Sequence, residues 1–263
     1  MGITAEPLHG RIALVTGAGS EAGIGFATAR RLAAMGARVF ITSTTDRCHE
    51  RAKALVTDGF EVDAFPADLT SAADVDALIA RVHDVMGPVE VLVNNAGMTS
   101  VLDPMAGVSL THEMSDARWR HTIERNLTLC FTVTARVLPD MVAAGHGRIV
   151  NVASTTGVTG AMLGESAYAA AKAGVVGLTR ALALEYAPHG ITANAVAPGW
   201  IATGSQTADE IRQGLASPVG RSGSPDEVAH AIAMLCVPQA AYITGQCLVV
   251  DGGNSIAEER AFG

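Results

Sequence analysis

A chain of 263 residues, 49% hydrophobic with a mean hydropathy of +0.29, is long enough for one large domain whose sheet is buried on both faces. Its net charge of −8 and pI of about 5.4 argue against a polyanion as partner, and no basic cluster suits nucleic acid. Aromatic residues make up only 4% while glycines number 28, so packing must rest on small aliphatic side chains and close backbone contacts.

Taken in order, residues 1–11 lack the apolar core of a signal peptide. Residues 11–16 form a β-rich run that passes through glycines into a helical pattern over 26–35. Such a strand–glycine–helix passage aims backbone N–H groups and a positive dipole end at one point, where the phosphates of a dinucleotide fit. A glycine turn with no ligand is the alternative. Strands are expected at 37–43, 60–66, 89–93, 148–152, 191–197 and 247–250. Helices are expected at 46–58, 71–86, 116–144, 165–186, 206–216 and 224–237. Pro139 should kink or reset the last turns of the 116–144 helix, and Ser224, Pro225 and Glu227 read as a helix start. This alternation predicts an α/β fold, a Rossmann-type doubly wound parallel sheet of about seven strands with helices on both faces, in a single domain spanning 1–263.

Tyr168 and Lys172 stand four residues apart in an Ala-rich segment, so both project from one helix face. An ammonium beside a phenol stabilises the phenolate and lowers a pKa that ordinarily lies near ~10, allowing proton exchange near neutrality. Ser154 closes a fourteen-residue loop before Tyr168 and brings a second hydroxyl to the same substrate oxygen. The three suggest an acid/base site for a C–O group. An exposed tyrosine and a solvated lysine are the plain alternative for an isolated match.

The four cysteines, Cys48, Cys130, Cys236 and Cys247, have no metal-like spacing and read as buried free thiols in a reducing cytoplasm; no metal is expected. No uncharged apolar run reaches the ~18 residues of a membrane span.

With these residues in hand, the chain resembles the short-chain dehydrogenase/reductase family over essentially its whole length, and in pattern the 3-oxoacyl-carrier-protein reductases. The likeness is carried by Thr16-Gly17…Gly23-Ile24-Gly25, Asp68-Leu69, Asn94-Asn95-Ala96-Gly97, Asn126, Ser154, Tyr168-x-x-x-Lys172, Pro198-Gly199-x-Ile201-x-Thr203 and Asp251-Gly252-Gly253. It implies that Tyr168 gives a proton to the carbonyl oxygen as hydride arrives. Lys172 lowers the Tyr168 pKa and holds the ribose of the nicotinamide, Ser154 bonds the substrate oxygen, and Asn126 fixes a water linking Lys172 to solvent. Cofactor contacts are implied for Gly17, Gly19, Ser20, Gly23, Ile24 and Gly25, for Asp68 and Leu69 near the adenine, for Asn95, Ala96 and Gly97, and for Pro198, Gly199, Ile201 and Thr203 near the carboxamide. Asp68 also suits a helix or turn cap. A homotetramer built on the helices of Asn126 and Tyr168 and on the last strand is implied as well.

The sequence departs from the family pattern in three places. Its glycine loop is two residues longer, which brings in Glu21, an anion that must point outward if phosphate is to bind nearby. The Ser154–Tyr168 loop is one residue longer and should bulge. The 98–115 segment is also lengthened, and with 200–222 it is expected to face substrate. In dinucleotide folds an acidic residue ending the second strand accepts the ribose 2′-hydroxyl and repels a 2′-phosphate. Here Ser43, Thr44 and Arg47 occupy that place, which favours NADP, with NAD possible if Asp46 reaches the ribose instead of capping the next helix. The expected activity is interconversion of a ketone, a 3-oxoacyl thioester among the candidates, and a secondary alcohol. An NAD-dependent alcohol or sugar dehydrogenase, and a cofactor-binding scaffold without turnover, are the alternatives.

Overall fold

In the computed structural model, which describes residues 6–97 and 107–258, seven parallel strands form one sheet in the order β3-β2-β1-β4-β5-β6-β7. They are β1 (Ile12–Val15), β2 (Arg38–Ile41), β3 (Val62–Ala64), β4 (Val91–Asn94), β5 (Gly147–Val152), β6 (Ile191–Pro198) and β7 (Cys247–Val250). Successive residues of β1 and β2 feed opposite cores. Val15 and Ile41 pack on one face with Phe26, Leu32 and Ile232, and Leu14 and Phe40 pack on the other with Leu78, Val133 and Met141. A strand buried on both faces must be apolar throughout, which is why β1 reads Ile-Ala-Leu-Val and is fully buried.

The helices are α1 (Ile24–Ala33), α2 (Arg47–Thr57), α3 (Ala72–Val85), α4 (Asp116–Ile123), α5 (Leu129–Ala144), α6 (Thr155–Val158), α7 (Ser166–Tyr186), α8 (Ala208–Leu215) and α9 (Pro225–Cys236). Ser224 caps α9 in a reciprocal box with Glu227, with Pro225 in the first turn, as the sequence indicates. Strand order reverses between β1 and β4, whose carboxyl ends diverge into loops carrying Gly17 and Asn95. A crevice opens at such a switch point, and there the fold places its ligand.

Pro139 sits inside α5, and the 116–144 helix carries a further irregularity that the sequence does not announce, a π-helical turn over Glu124–Thr128 that joins α4 to α5. One expectation is corrected here. Asp46 occupies the N-cap position of α2, yet its side chain caps nothing. Its φ of −59° and ψ of −7° are already helical, which turns the carboxylate away from the N–H groups it would serve from an extended conformation.

The continuous helix Asp116–Ala144 is long and apolar enough to cross a membrane by composition. Here Leu129, Val133, Val137 and Met141 are buried in the core beside Leu92 and Ile149 of the sheet, which accounts for its apolar face. Residues 98–106 of the expected 98–115 substrate-facing segment lie outside the described residues.

Candidate active site

The Ala-rich α7 places Tyr168 and Lys172 one turn apart, and small residues let that helix lie close to its neighbours. A Cβ on Gly174 would stand 2.7 Å from Leu127 in the π turn, and one on Gly157 would collide with the Ala169 carbonyl. Gly157 is held at φ +91°, so the loop after β5 folds as a tight bulge onto α7, its tip carrying exposed Met162 and Leu163. Ser154 begins this loop; its hydroxyl oxygen accepts the Thr156 N–H at 3.1 Å and lies beside Tyr168.

Lys172 is 2% exposed, so its amine must find partners inside the protein. It donates to the Val152 carbonyl at 3.0 Å and reaches the Gly97 carbonyl at 3.5 Å, with the nitrogen 5.7 Å from the Tyr168 ring centroid. Burial pushes the lysine down to about 8. The expected lowering of the Tyr168 pKa is overturned: although part of the ring faces the cavity, the hydroxyl lies deep, and burial pushes it up to about 12. The neighbouring Ser154 hydroxyl opposes that rise, while Glu165 and Glu210 add to it. Desolvation outweighs the Ser154 hydrogen bond, so at neutral pH Tyr168 holds its proton.

Asn126 lies in the π turn, 2% exposed. Its Nδ2 donates to the Thr122 carbonyl at 3.1 Å, while its Oδ1 is a buried acceptor with no donor among the described residues. That oxygen faces Gly97, where a Cβ would come within 3.2 Å. π turns recur at functional sites because the extra residue redirects side chains.

At the switch point the Thr16 hydroxyl oxygen accepts the N–H groups of Asn95 and Ala96, both at 3.0 Å. In return, Asn95 Nδ2 donates to the carbonyls of Thr16 and Gly17 at 3.0 and 3.1 Å. Gly17 has φ +69°, and a Cβ there would stand 2.8 Å from Ala96 Cα; one on Gly25 would stand 2.5 Å from the Gly17 carbonyl. A Cβ on Gly19 would meet Ser43 at 2.8 Å. Only glycine keeps this cradle open for the close approach of phosphate oxygens. The longer loop leaves it intact: Gly23 N–H closes a turn on the Ser20 carbonyl at 3.1 Å, and Glu21 points outward to Arg51 at 3.0 Å, 82% exposed.

Beyond β2, Ser43 donates to the Thr45 carbonyl at 2.7 Å and Arg47 Nε donates to Thr45 Oγ1 at 3.1 Å. Thr44 is exposed beside them. These hydroxyls and one guanidinium border Gly19 with no carboxylate bonded among them, a donor set that fits a phosphate. Asp68 is exposed and its Oδ1 accepts the N–H and hydroxyl of Thr70, whereas Ser71 caps α3. Leu69 turns its side chain into the core and can offer only backbone to a ligand.

A cavity of ≈310 Å³ opens at the carboxyl end of the sheet. Of the residues singled out from sequence, Ile24, Asn95, Gly97, Ser154, Tyr168, Lys172, Pro198, Gly199, Ile201 and Thr203 line it. Gly17, Gly19, Ser20, Gly23, Gly25, Ser43, Thr44, Arg47, Asp68, Leu69, Ala96 and Asn126 do not, the glycine loop and the β2 end forming an adjoining shelf. Met162 and Glu165, and within the expected 200–222 segment Trp200, Gln206 and Glu210, also line the walls, none of them singled out from sequence. Glu165, three residues before Tyr168 at the start of α7, carried the one usable signal, because an acid there must lie near the phenol. Cys48, Cys130 and Cys236 are buried free thiols and Cys247 is partly buried; no group able to hold a metal ion occurs among the described residues.

The family model described as Enoyl-(Acyl carrier protein) reductase matches residues 17–255. Among curated relatives, the 3-oxoacyl-[acyl-carrier-protein] reductase of Vibrio cholerae is 40% identical over 250 residues, covering 94% of this chain and 98% of that one. The cis-4-hydroxycyclohexanecarboxylate dehydrogenase of Sinomonas cyclohexanicum is 42% identical over 252 residues, with 94% and 98% coverage. Among solved structures, a single-site variant of the actinorhodin polyketide ketoreductase with NADPH superposes with a TM-score of 0.85 at 40% identity, covering 97% of this chain and all of that one.

Proposed function

The chain belongs to the short-chain dehydrogenase/reductase family, as an NADP-dependent oxidoreductase that interconverts a ketone and a secondary alcohol, and we propose from that premise how its residues divide the work. Tyr168 is the acid/base: its phenol, protonated at neutral pH, donates to the carbonyl oxygen during reduction and recovers the proton in the reverse direction. Ser154 donates a second hydrogen bond to the same oxygen and fixes its position. Lys172 holds the ribose hydroxyls and, as a cation behind the ring, stabilises the phenolate left after transfer. Asn126 Oδ1 holds the water through which that phenolate is reprotonated, which gives a buried acceptor its donor. Bound NADPH supplies the hydride that reaches the carbonyl carbon.

Gly17, Gly19, Ser20, Gly23, Ile24 and Gly25 bind the diphosphate, and Ser43, Thr44 and Arg47 receive the 2′-phosphate. Asp68 and the Leu69 backbone meet the adenine. Asn95, Ala96, Gly97, Pro198, Gly199, Ile201 and Thr203 seat the nicotinamide half. The observation that carries this reading is Tyr168, Ser154 and Lys172 converging on one cavity beside a glycine-only cradle. The substrate we favour is a 3-oxoacyl thioester, after the reductases of acyl-carrier-protein and polyketide substrates among the relatives; the 107–115 and 200–222 segments face it.

We assign the protein to the cytoplasm as a homotetramer. The outer faces of α5 and α7 leave Phe131 54% and Leu184 82% exposed, apolar surface of the kind a partner subunit covers. Sedimentation at micromolar concentration giving a monomer overturns the assembly. For the chemistry, NADPH consumption is followed at 340 nm with a panel of ketones that includes a 3-oxoacyl thioester. Turnover that Tyr168→Phe abolishes supports the reading; tight NADPH binding with no turnover on any compound replaces it with a non-catalytic binding module.

A further inference from the structure

Glu165 precedes the first helical residue of α7 and lines the cavity three residues before Tyr168. Its carboxylate makes no cap to the helix that follows it. Burial raises its pKa, with Arg118 pulling the other way from α4, outside the cavity wall. Glu210 faces the cavity from α8, but one of its oxygens is held by the Thr207 N–H at 2.6 Å in a capping box. The sole cation among the described lining residues is Lys172, and its amine donates to the Val152 and Gly97 carbonyls. Both acids act on the Tyr168 phenol, so their field extends over the point where the carbonyl reacts.

A cavity with two acids and one committed cation is hostile to a further anion. We propose that Glu165 is a specificity-determining residue, its carboxylate beside Tyr168 admitting ketones whose neighbouring acyl group is a neutral ester or thioester and rejecting the matching free carboxylates. This rests on the oxidoreductase reading above and narrows its substrate class. Reduction of a free oxo acid would bring a substrate carboxylate against Glu165 with no free guanidinium or ammonium among the described lining residues to receive it, whereas an ester presents only dipoles.

The test uses two matched pairs with NADPH: ethyl 3-oxobutanoate against 3-oxobutanoate, and ethyl 2-oxocyclopentanecarboxylate against its free acid. For the wild type, kcat/KM for the ester should exceed that for the acid by about tenfold or more, as expected for like charges brought together in a partly buried site. Glu165→Gln should cut the ester-to-acid ratio at least threefold, chiefly through a lower KM for the acid, and Glu165→Arg should cut it further. Equal efficiencies for ester and acid in the wild type overturn the inference, and so does a ratio that neither variant moves. Failure of the wild type to reduce any of the four compounds also overturns it. Ester reduction that survives unchanged in Tyr168→Phe fails the underlying reading instead. The wild-type comparison decides even where a variant does not fold.

Discussion

Lys172 Nζ donates to the Val152 carbonyl at 3.0 Å while standing 5.7 Å from the centroid of the Tyr168 ring. The lysine is thus anchored by the strand that also delivers Ser154, and it meets the tyrosine as a cation near a π face. That arrangement leaves burial in charge of both pKa values, the phenol pushed up to about 12 and the amine down to about 8.

The two reaction directions should therefore respond differently to pH. Reduction needs a protonated Tyr168, which persists well past neutrality, so kcat for ketone reduction should stay flat between pH 6 and about 7.5. Oxidation of the alcohol needs the phenolate, whose population below its pKa grows about tenfold per pH unit. Oxidative kcat should rise from pH 7 to 9, with the slope blunted above pH ~8 as Lys172 loses its charge. An oxidative profile that is level over that range would show that Tyr168 deprotonation does not limit the step.

The same shift makes a stability statement. The folded state binds the Lys172 proton less tightly than the unfolded chain, whose lysine titrates near ~10.4. Between pH 8 and that value the unfolded state carries more protons, so this group's contribution to folding rises with pH and is lost as pH falls through about 8. Tyr168 acts oppositely, but only from its ordinary value near ~10 upward. Urea unfolding of the wild type and Lys172→Met at pH 7.5 and 9 should show the wild type gaining on the variant by about 1 kcal/mol, given ~1.4 kcal/mol per pH unit within the window. A difference independent of pH would mean that the amine is not desolvated.

Cofactor choice follows from the shelf at the end of β2. Among the described residues Arg47 is tethered through Nε to Thr45 alone, which leaves its terminal nitrogens available to a phosphate. Arg47→Glu should lower kcat/KM for NADPH by tenfold or more while changing that for NADH far less. The ratio measured with one ketone checks it, and an unchanged ratio would move the 2′-phosphate away from Arg47. Gly19→Ala is the geometric counterpart, since its methyl would meet Ser43 at 2.8 Å and close the shelf to both cofactors.

The sheet was readable because strands buried on both faces are apolar without interruption, as in residues 12–15 and 91–93, and because glycines punctuate their carboxyl ends. Tyr168 and Lys172 were readable because helix spacing alone sets them on one face. Less was visible where tertiary contacts decide. The π turn at 124–128 has no local composition that distinguishes it from α-helix, and Asp46 reads as a cap until its backbone is known. The sign of the Tyr168 shift depends on how deeply the hydroxyl lies, a property of the whole fold. Glu165, Trp200 and Glu210 reach one cavity from three separate elements, and no spacing in the chain announces that.

Asn126 offers a separation of stability from function. Its Oδ1 has no donor among the described residues, which leaves it free for the water proposed above. An apolar side chain of similar size removes the amide's hydrogen bond to the Thr122 carbonyl at 3.1 Å, worth about 1 kcal/mol, together with the hold on that water. Asn126→Leu should consequently still fold, with a Tm only a few degrees below that of the wild type. If Oδ1 holds the water that returns the proton to Tyr168, kcat should nevertheless fall about tenfold or more, with KM for the ketone little changed. Thermal unfolding and steady-state kinetics on the same preparation distinguish the roles: a lower Tm with kcat retained would make Asn126 a structural residue of the π turn, with no part in the proton path.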